Sequence, residues 1–197
     1  MRTGIYGGSF NPIHNGHIRN AESAAKELGL DRVFFVPSRI SPHRSSEDYV
    51  SGEDRLEMVR LACEDRADFI PCDFELRQDG VSYSIYTVEY FRRRFPDDEL
   101  FLIVGSDMLM SFDKWYRFED ILGEVTLCAS TRSGDDLGEL RRKAHDLGRY
   151  GRVIVTGSCP IVVSSTEIRK KIAKNEDFTC YLNENVVQYI RLRKLYT

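Results

Sequence analysis

Short apolar runs rich in β-branched and aromatic residues alternate with segments of helical periodicity along almost the whole chain, and this alternation restricts the fold more than any other feature. Thr3–Gly7 reads as a strand. Asn15–Leu28 reads as a helix with Ile18, Ala21, Ala25 and Leu28 on one face, and Gly29 stands where a left-handed residue closes a helix. Arg32–Pro37 is the next strand, its "VFFV" apolar on both faces as in a central parallel strand. A helix over Ser51–Cys63 follows, with Leu56, Val59 and Cys63 in register. Then come a strand over Phe69–Cys72, a helix over Ser84–Phe95, strands over Leu100–Val104 and Val125–Ser130, a helix over Leu137–Leu147 and a strand over Val153–Thr156. Helices over Thr166–Ala173 and Glu184–Lys194 complete the pattern. Such alternation implies an α/β fold, a parallel sheet with helices on both faces, and sheets of this kind bind ligands beyond the carboxyl ends of their strands.

The length of 197 residues suits one sizeable domain, so residues 1–197 are expected to form a single unit with 164–197 as a small C-terminal helical segment. With 42% hydrophobic and 30% charged residues the composition is globular, which excludes a disordered or fibrous chain. A formal net charge of −3 provides no global positive field for nucleic acid or an anionic membrane, so any bound anion must be held by local groups. The basic cluster from Arg141–Lys143 to Arg152 has no aromatics interleaved for base stacking and reads as a solvated helix face. Met1–Tyr6 lacks the basic start and apolar core of a signal peptide, and no apolar run approaches the roughly 18–20 residues that span a bilayer. Five cysteines (Cys63, Cys72, Cys128, Cys159, Cys180) at irregular spacing fit reduced thiols in a cytoplasm better than a disulfide framework or a zinc site.

After the first strand the chain reads "GGSFNPIHNGH". Gly7 and Gly8 carry no side chains where the backbone turns and a ligand can approach. The free amides at the start of the next helix favour an anion, and His14 and His17, three apart, project on one side of it. Imidazoles placed there can donate hydrogen bonds to phosphate oxygens. The same residues also allow a metal site, although neither a third His nor a nearby Cys completes a zinc set, or a turn with a structural histidine.

The eleven residues "GGSFNPIHNGH" resemble the opening motif of the H-x-G-H nucleotidyltransferase superfamily, and within it the chain is most similar to bacterial nicotinate-nucleotide adenylyltransferases. The resemblance implies a Rossmann-like fold and the joining of ATP to nicotinate mononucleotide, which gives deamido-NAD and pyrophosphate. It places Gly7, Gly8, Ser9 and Phe10 against ATP, and His14 and His17 at the reacting phosphates.

Five further stretches extend it. In "VVSSTEIRKKI", Ser164 and Glu167 form a capping box, Ile168 and Ile172 face the core, and Ser165, Thr166 and Arg169 share the positive end of a helix. The family's similar S-S-T-x-x-R segment contacts the ATP phosphates. In "FLIVGSDML", Gly105 and Asp107 stand just past a buried strand, either as a turn with a helix cap or, as the family's similar G-[SA]-D implies, beside the adenosine. "DGVSYSIYTVEYF" resembles the family's S-Y-T-x-x-T segment with Ser84 in place of the usual Thr, which puts Tyr83 and Thr87 at the mononucleotide. Trp115 in "FDKWYRF", by the same resemblance, stacks on the pyridine ring; a core role is the other reading. "SRISPHR" resembles the family's P-H-K element with Arg44 in place of lysine, which by that resemblance puts Arg44 at the mononucleotide; a solvated loop holding His43 and Arg44 is the other reading, and the forked guanidinium is not a neutral exchange.

The implied cofactor is Mg²⁺ carried mainly by ATP phosphates, with no protein metal cage. The partners are then small molecules. A nicotinamide-mononucleotide or phosphopantetheine enzyme is the alternative, the latter tending to have Thr at the position of His14 and to lack the Trp segment. A non-catalytic nucleotide-binding regulator is the alternative of a different class, against which the intact His14, His17 and Arg169 argue.

Overall fold

Continuous apolar runs can be strands only if both faces are covered, and the computed structural model satisfies this with one six-stranded parallel sheet. It describes residues 1–40, 49–130, 137–157 and 163–197. The strands are β1 (Arg2–Gly8), β2 (Arg32–Pro37), β3 (Phe69–Pro71), β4 (Glu99–Gly105), β5 (Thr126–Ser130) and β6 (Val153–Thr156), in the order β3-β2-β1-β4-β5-β6. The helices are α1 (Asn15–Leu28), α2 (Gly52–Cys63), α3 (Ser84–Arg94), α4 (Ser106–Met110), α5 (Phe118–Glu124), α6 (Leu137–Leu147), α7 (Ser165–Ala173) and α8 (Glu184–Arg193). This is the Rossmann-like α/β architecture expected from the alternation. The chain reverses its direction of winding between β1 and β4, where the two central carboxyl ends leave a crevice.

Strand alternation sorts the apolar runs into two cores. Val33, Phe35, Phe101 and Ile103 pack with α1, α2, α7 and α8 on one face. Phe34, Val36, Leu100, Leu102 and Val104 pack with α3, α4, α5 and α6 on the other. On α1 the buried stripe is Ile18, Ala21, Ala24 and Leu28, so Ala24 takes the inner place expected for Ala25, which is only partly buried. Gly29 closes this helix at φ 59°. The short α4 and α5 and a 3₁₀ turn at Phe112–Lys114 fill the crossover between β4 and β5, which carries no helix in the sequence-based expectation.

The amino edge of the sheet is sealed by Asp98. Thr3 Oγ1 donates to it at 2.6 Å, and Arg32 reaches both Thr3 (2.9 Å) and Asp98 (2.8 Å). The Thr3 hydrogen bond, outweighing burial and joined by Arg32, pulls the Asp98 carboxyl down to about 2. Among the described residues no helix is long and apolar enough to cross a membrane. The described cysteines Cys63, Cys72, Cys128 and Cys180 are free thiols, and burial pushes Cys63 and Cys128 up to about 12.

Candidate active site

Tyr6 of β1 lies opposite Ile103 of β4, so Gly7 and Gly8 leave the sheet at the same edge as Gly105. A Cβ built at Gly7 meets nothing within 4 Å, whereas one at Gly8 comes within 3.1 Å of the Phe10 ring. Gly8 is therefore small because Phe10 folds back over it, and Gly7 because its side of the backbone opens onto the crevice. Phe10 sits at φ 45°, a left-handed conformation that a side chain adopts only when its surroundings enforce it. Here they do. The ring is buried edge-on to His17 (5.2 Å) and Tyr6 (5.7 Å), so Phe10 supports the site from within and can offer a ligand only its backbone.

His14 is the N-cap of α1 and His17 lies three residues on, and their rings stack with centroids 3.7 Å apart. The backbone N–H of His14 donates to His17 Nδ1 at 3.2 Å. That bond leaves the proton of a neutral His17 ring on Nε2, so the ring's far edge is a donor.

The second predicted motif meets the first. Ser164 and Glu167 form the expected capping box, with the Ser164 hydroxyl accepting from the Glu167 N–H (3.2 Å) and the Glu167 carboxylate accepting from the Ser164 N–H (3.0 Å). Ile168 and Ile172 are buried as expected. Ser165 Oγ donates to the Pro12 carbonyl at 3.0 Å, and Arg169 Nη1 donates to the Asn11 carbonyl at 2.9 Å. Thr166 is exposed on the same turn, 3.4 Å from Arg169 Nη2. The starts of α1 and α7 are thus tied to a single loop. Two positive helix ends and a guanidinium surround it, an arrangement that attracts a polyanion.

Gly105 caps α4 and Asp107 is exposed in its first turn, beside the end of β1. Tyr83 caps α3 and lies 4.8 Å from the ring of Tyr116, which brings the start of α3 to the segment holding Trp115. Trp115 is partly buried against Phe112 at 4.8 Å. Thr87 faces inward at 2% exposure, with its hydroxyl donating to Glu75 at 2.5 Å. Arg44 lies outside the described residues.

Several groups escaped the sequence reading. Arg55 is only 2% exposed, donates to the carbonyl of Ser9 at 2.8 Å and lies over the Tyr49 ring at 5.4 Å. Burial lowers its pKa, with Tyr49, Tyr196 and Glu75 opposing. Its signal was present, since a charge four residues before Val59 falls on the inner face of α2. Burial also raises the Glu75 carboxyl, opposed by hydrogen bonds from Thr87 and Ser82 and by Arg55. Asn11 is fully buried, and its Oδ1 accepts from the Tyr196 hydroxyl (2.8 Å) and the Val50 N–H (3.3 Å). Among the described residues no group of three or more His, Cys, Asp or Glu is placed to hold a metal ion.

Comparison with known proteins gives the family and the fold. The cytidylyltransferase-like family model matches residues 5–171. A "Probable nicotinate-nucleotide adenylyltransferase" of Shewanella frigidimarina is 36% identical over the full length of both chains. One of the same name from Clostridium acetobutylicum is 37% identical, with 98% of this chain and 97% of that one covered. The solved structure of Plasmodium falciparum nicotinic acid mononucleotide adenylyltransferase complexed with NaAD superposes with a TM-score of 0.80 at 18% identity, over 99% of this chain and 97% of that one. This last similarity is one of fold. The full-length sequence similarities carry the assignment: the chain belongs to the cytidylyltransferase-like family and, within it, to the nicotinate-nucleotide adenylyltransferases.

Proposed function

We propose that this protein transfers the adenylyl group of ATP to nicotinate mononucleotide, a step of NAD biosynthesis, at the crevice between β1 and β4. The observation that carries the reading is the meeting of the Gly7–His17 loop with Ser165 and Arg169 through their bonds to Pro12 and Asn11. A 5′-phosphate oxygen of the mononucleotide forms a bond to the α-phosphorus, the bond from that phosphorus to the bridging oxygen breaks, and pyrophosphate leaves. The attacking phosphate is already anionic, so positioning and charge stabilisation do the work and no general base is required.

In this reading His17 donates through Nε2 to the transferring phosphate, and His14 stands beside it. The amides at the start of α7, with Thr166 and Arg169, hold the outer phosphates. Gly7, Gly8, Ser9 and Phe10 present backbone to the nucleotide, while Gly105 and Asp107 flank the adenosine. Tyr83 and Trp115 form the mononucleotide end, joined by Arg44, whereas Thr87, assigned there by the sequence resemblance, is buried with its hydroxyl committed to Glu75. Mg²⁺ enters as part of the ATP substrate, carried by phosphate oxygens and water. We propose further that the protein works in the cytoplasm as a single nucleotidyltransferase unit over residues 1–197.

The test is to incubate the protein with MgATP and, separately, nicotinate mononucleotide, nicotinamide mononucleotide and phosphopantetheine, and to identify the product. Deamido-NAD from the first is the expected outcome. A preference for phosphopantetheine overturns the assignment.

A further inference from the structure

The loop that carries His14 is gripped by a residue far outside both phosphate motifs. Beyond α8, Lys194 (φ 50°) and Tyr196 (φ 64°) adopt left-handed conformations that turn the chain back toward β1. Leu195 N–H bonds to the Ile190 carbonyl at 3.0 Å, which tightens that reversal. Left-handed backbone at two non-glycine residues persists only where surrounding contacts enforce it. The contacts are present. Asp54 of α2 binds α8 through Tyr189 Oη (2.8 Å) and Arg193 Nη2 (3.2 Å). The Tyr196 ring packs against the core on that face, and its hydroxyl donates to Asn11 Oδ1 at 2.8 Å, across 185 residues. Burial raises the phenol well above its usual range, despite the opposing Arg169 and Arg55, so the group stays a neutral donor.

Asn11 is the hinge on which this contact acts. Its carbonyl already receives Arg169, and its side chain receives Tyr196 and Val50. Pro12 and buried Ile13 separate it from His14, the N-cap of α1. A displacement of Asn11 is therefore passed to both stacked imidazoles. We infer that Tyr196 is a positioning residue for adenylyl transfer, its hydroxyl holding Asn11 and thereby setting the glycine loop and the two histidines against the ATP phosphates. The inference rests on the reading that this loop holds ATP.

Two variants separate positioning from packing. Tyr196→Phe removes one oxygen and keeps the ring; Tyr196→Leu removes both. For Tyr196→Phe, kcat/KM for MgATP falls roughly tenfold, the scale of one buried hydrogen bond. Its KM for nicotinate mononucleotide stays within twofold and its midpoint of thermal unfolding within about 2 °C. Wild-type kcat/KM in Tyr196→Phe, with loss only in Tyr196→Leu, overturns the inference and leaves Tyr196 as packing alone. A loss in Tyr196→Phe that merely tracks a smaller folded fraction overturns it as well. Calorimetric titration with MgATP keeps the two readings apart. If the wild-type protein makes no dinucleotide, the proposed reaction fails. The hold of Tyr196 on the ATP loop is then judged by binding alone: a tenfold weaker MgATP affinity in Tyr196→Phe supports it and an unchanged one overturns it.

Discussion

The hydroxyl of Ser165 donates to the carbonyl of Pro12 across 3.0 Å, and this bond joins two segments 153 residues apart. Ser165 is buried, so its side chain is committed to the loop and what α7 presents to a ligand is its first-turn backbone, with Thr166 and Arg169. Arg169 has a divided role of the same kind, since Nη1 is engaged by Asn11 and Nη2 faces Thr166. The two motifs act as one rigid cradle, and substitutions at one are expected to be felt at the other.

Replacing His17 removes the ring that accepts the His14 N–H. For a preorganised donor at a point where charge develops, His17→Ala is expected to lower turnover at least about 100-fold. Circular dichroism should show a folded protein, and near-normal turnover in that folded variant rules out the role.

Gly7→Ala isolates the room in front of the loop. The added methyl meets no protein atom within 4 Å, so stability to urea should stay within about 0.5 kcal/mol of wild type. The KM for ATP is expected to rise at least about tenfold, because the methyl occupies space the nucleotide needs. An unchanged KM would place the nucleotide elsewhere.

Thr87→Val deletes a donor to a buried carboxyl. The cost should be about 1–3 kcal/mol at neutral pH, measured by urea unfolding. The sign with pH follows from the direction of the Glu75 shift. A carboxyl raised above its unfolded value of 4.5 loses stability for the fold as pH climbs through the folded value, and removing the Thr87 bond raises it further. The gap between wild type and variant should therefore be wider at pH 7 than at pH 4. Equal gaps at both values would show that Glu75 does not titrate with the fold.

Asp98 gives the opposite sign at the opposite edge of the sheet. Lowered from 3.8 to about 2, it contributes stability that is fully present above its unfolded pKa and is lost as pH falls through the folded value. In Asp98→Asn the acid limb of the stability curve between those values should flatten. The KM for ATP should not change, since Thr3 and Arg32 lie at the amino edge and the site at the carboxyl edge. An altered KM would mean that the two edges are coupled.

What could be read from the chain follows the range of the interactions involved. The bounds of α1, its Gly29 stop and the Ser164–Glu167 cap depend on neighbours a few residues away, and each appears as read. The "VFFV" of β2 declared a strand covered on both faces, and both faces are covered. The exchange of Ala25 for Ala24 is a shift of one residue within the stripe, set by how α1 rolls on the sheet. By contrast α4 and α5 are too short for periodicity to show and are held by Leu109, Ile121 and Leu122 in the core. Nothing near Glu75 or Tyr196 in the sequence marks them as buried, and only the fold brings Ser9, Thr87 and Asn11 beside Arg55, Glu75 and Tyr196. Local pattern carries no record of partners that distant.

The central position of β1 also bears on how the protein folds. Pairing Arg2 with Glu99 joins β1 to β4, and the braces on Asn11 and Pro12 come from still later in the chain. Contacts of such long separation are entropically expensive to close and slow to form. A chain in which only β1, α1 and β2 had formed would have the glycine loop without its grip, because the residues that hold it are Ser165, Arg169 and Tyr196. If the proposed site holds ATP, nucleotide should bind the completed fold far better than any half-built one, and MgATP should raise the unfolding midpoint by mass action.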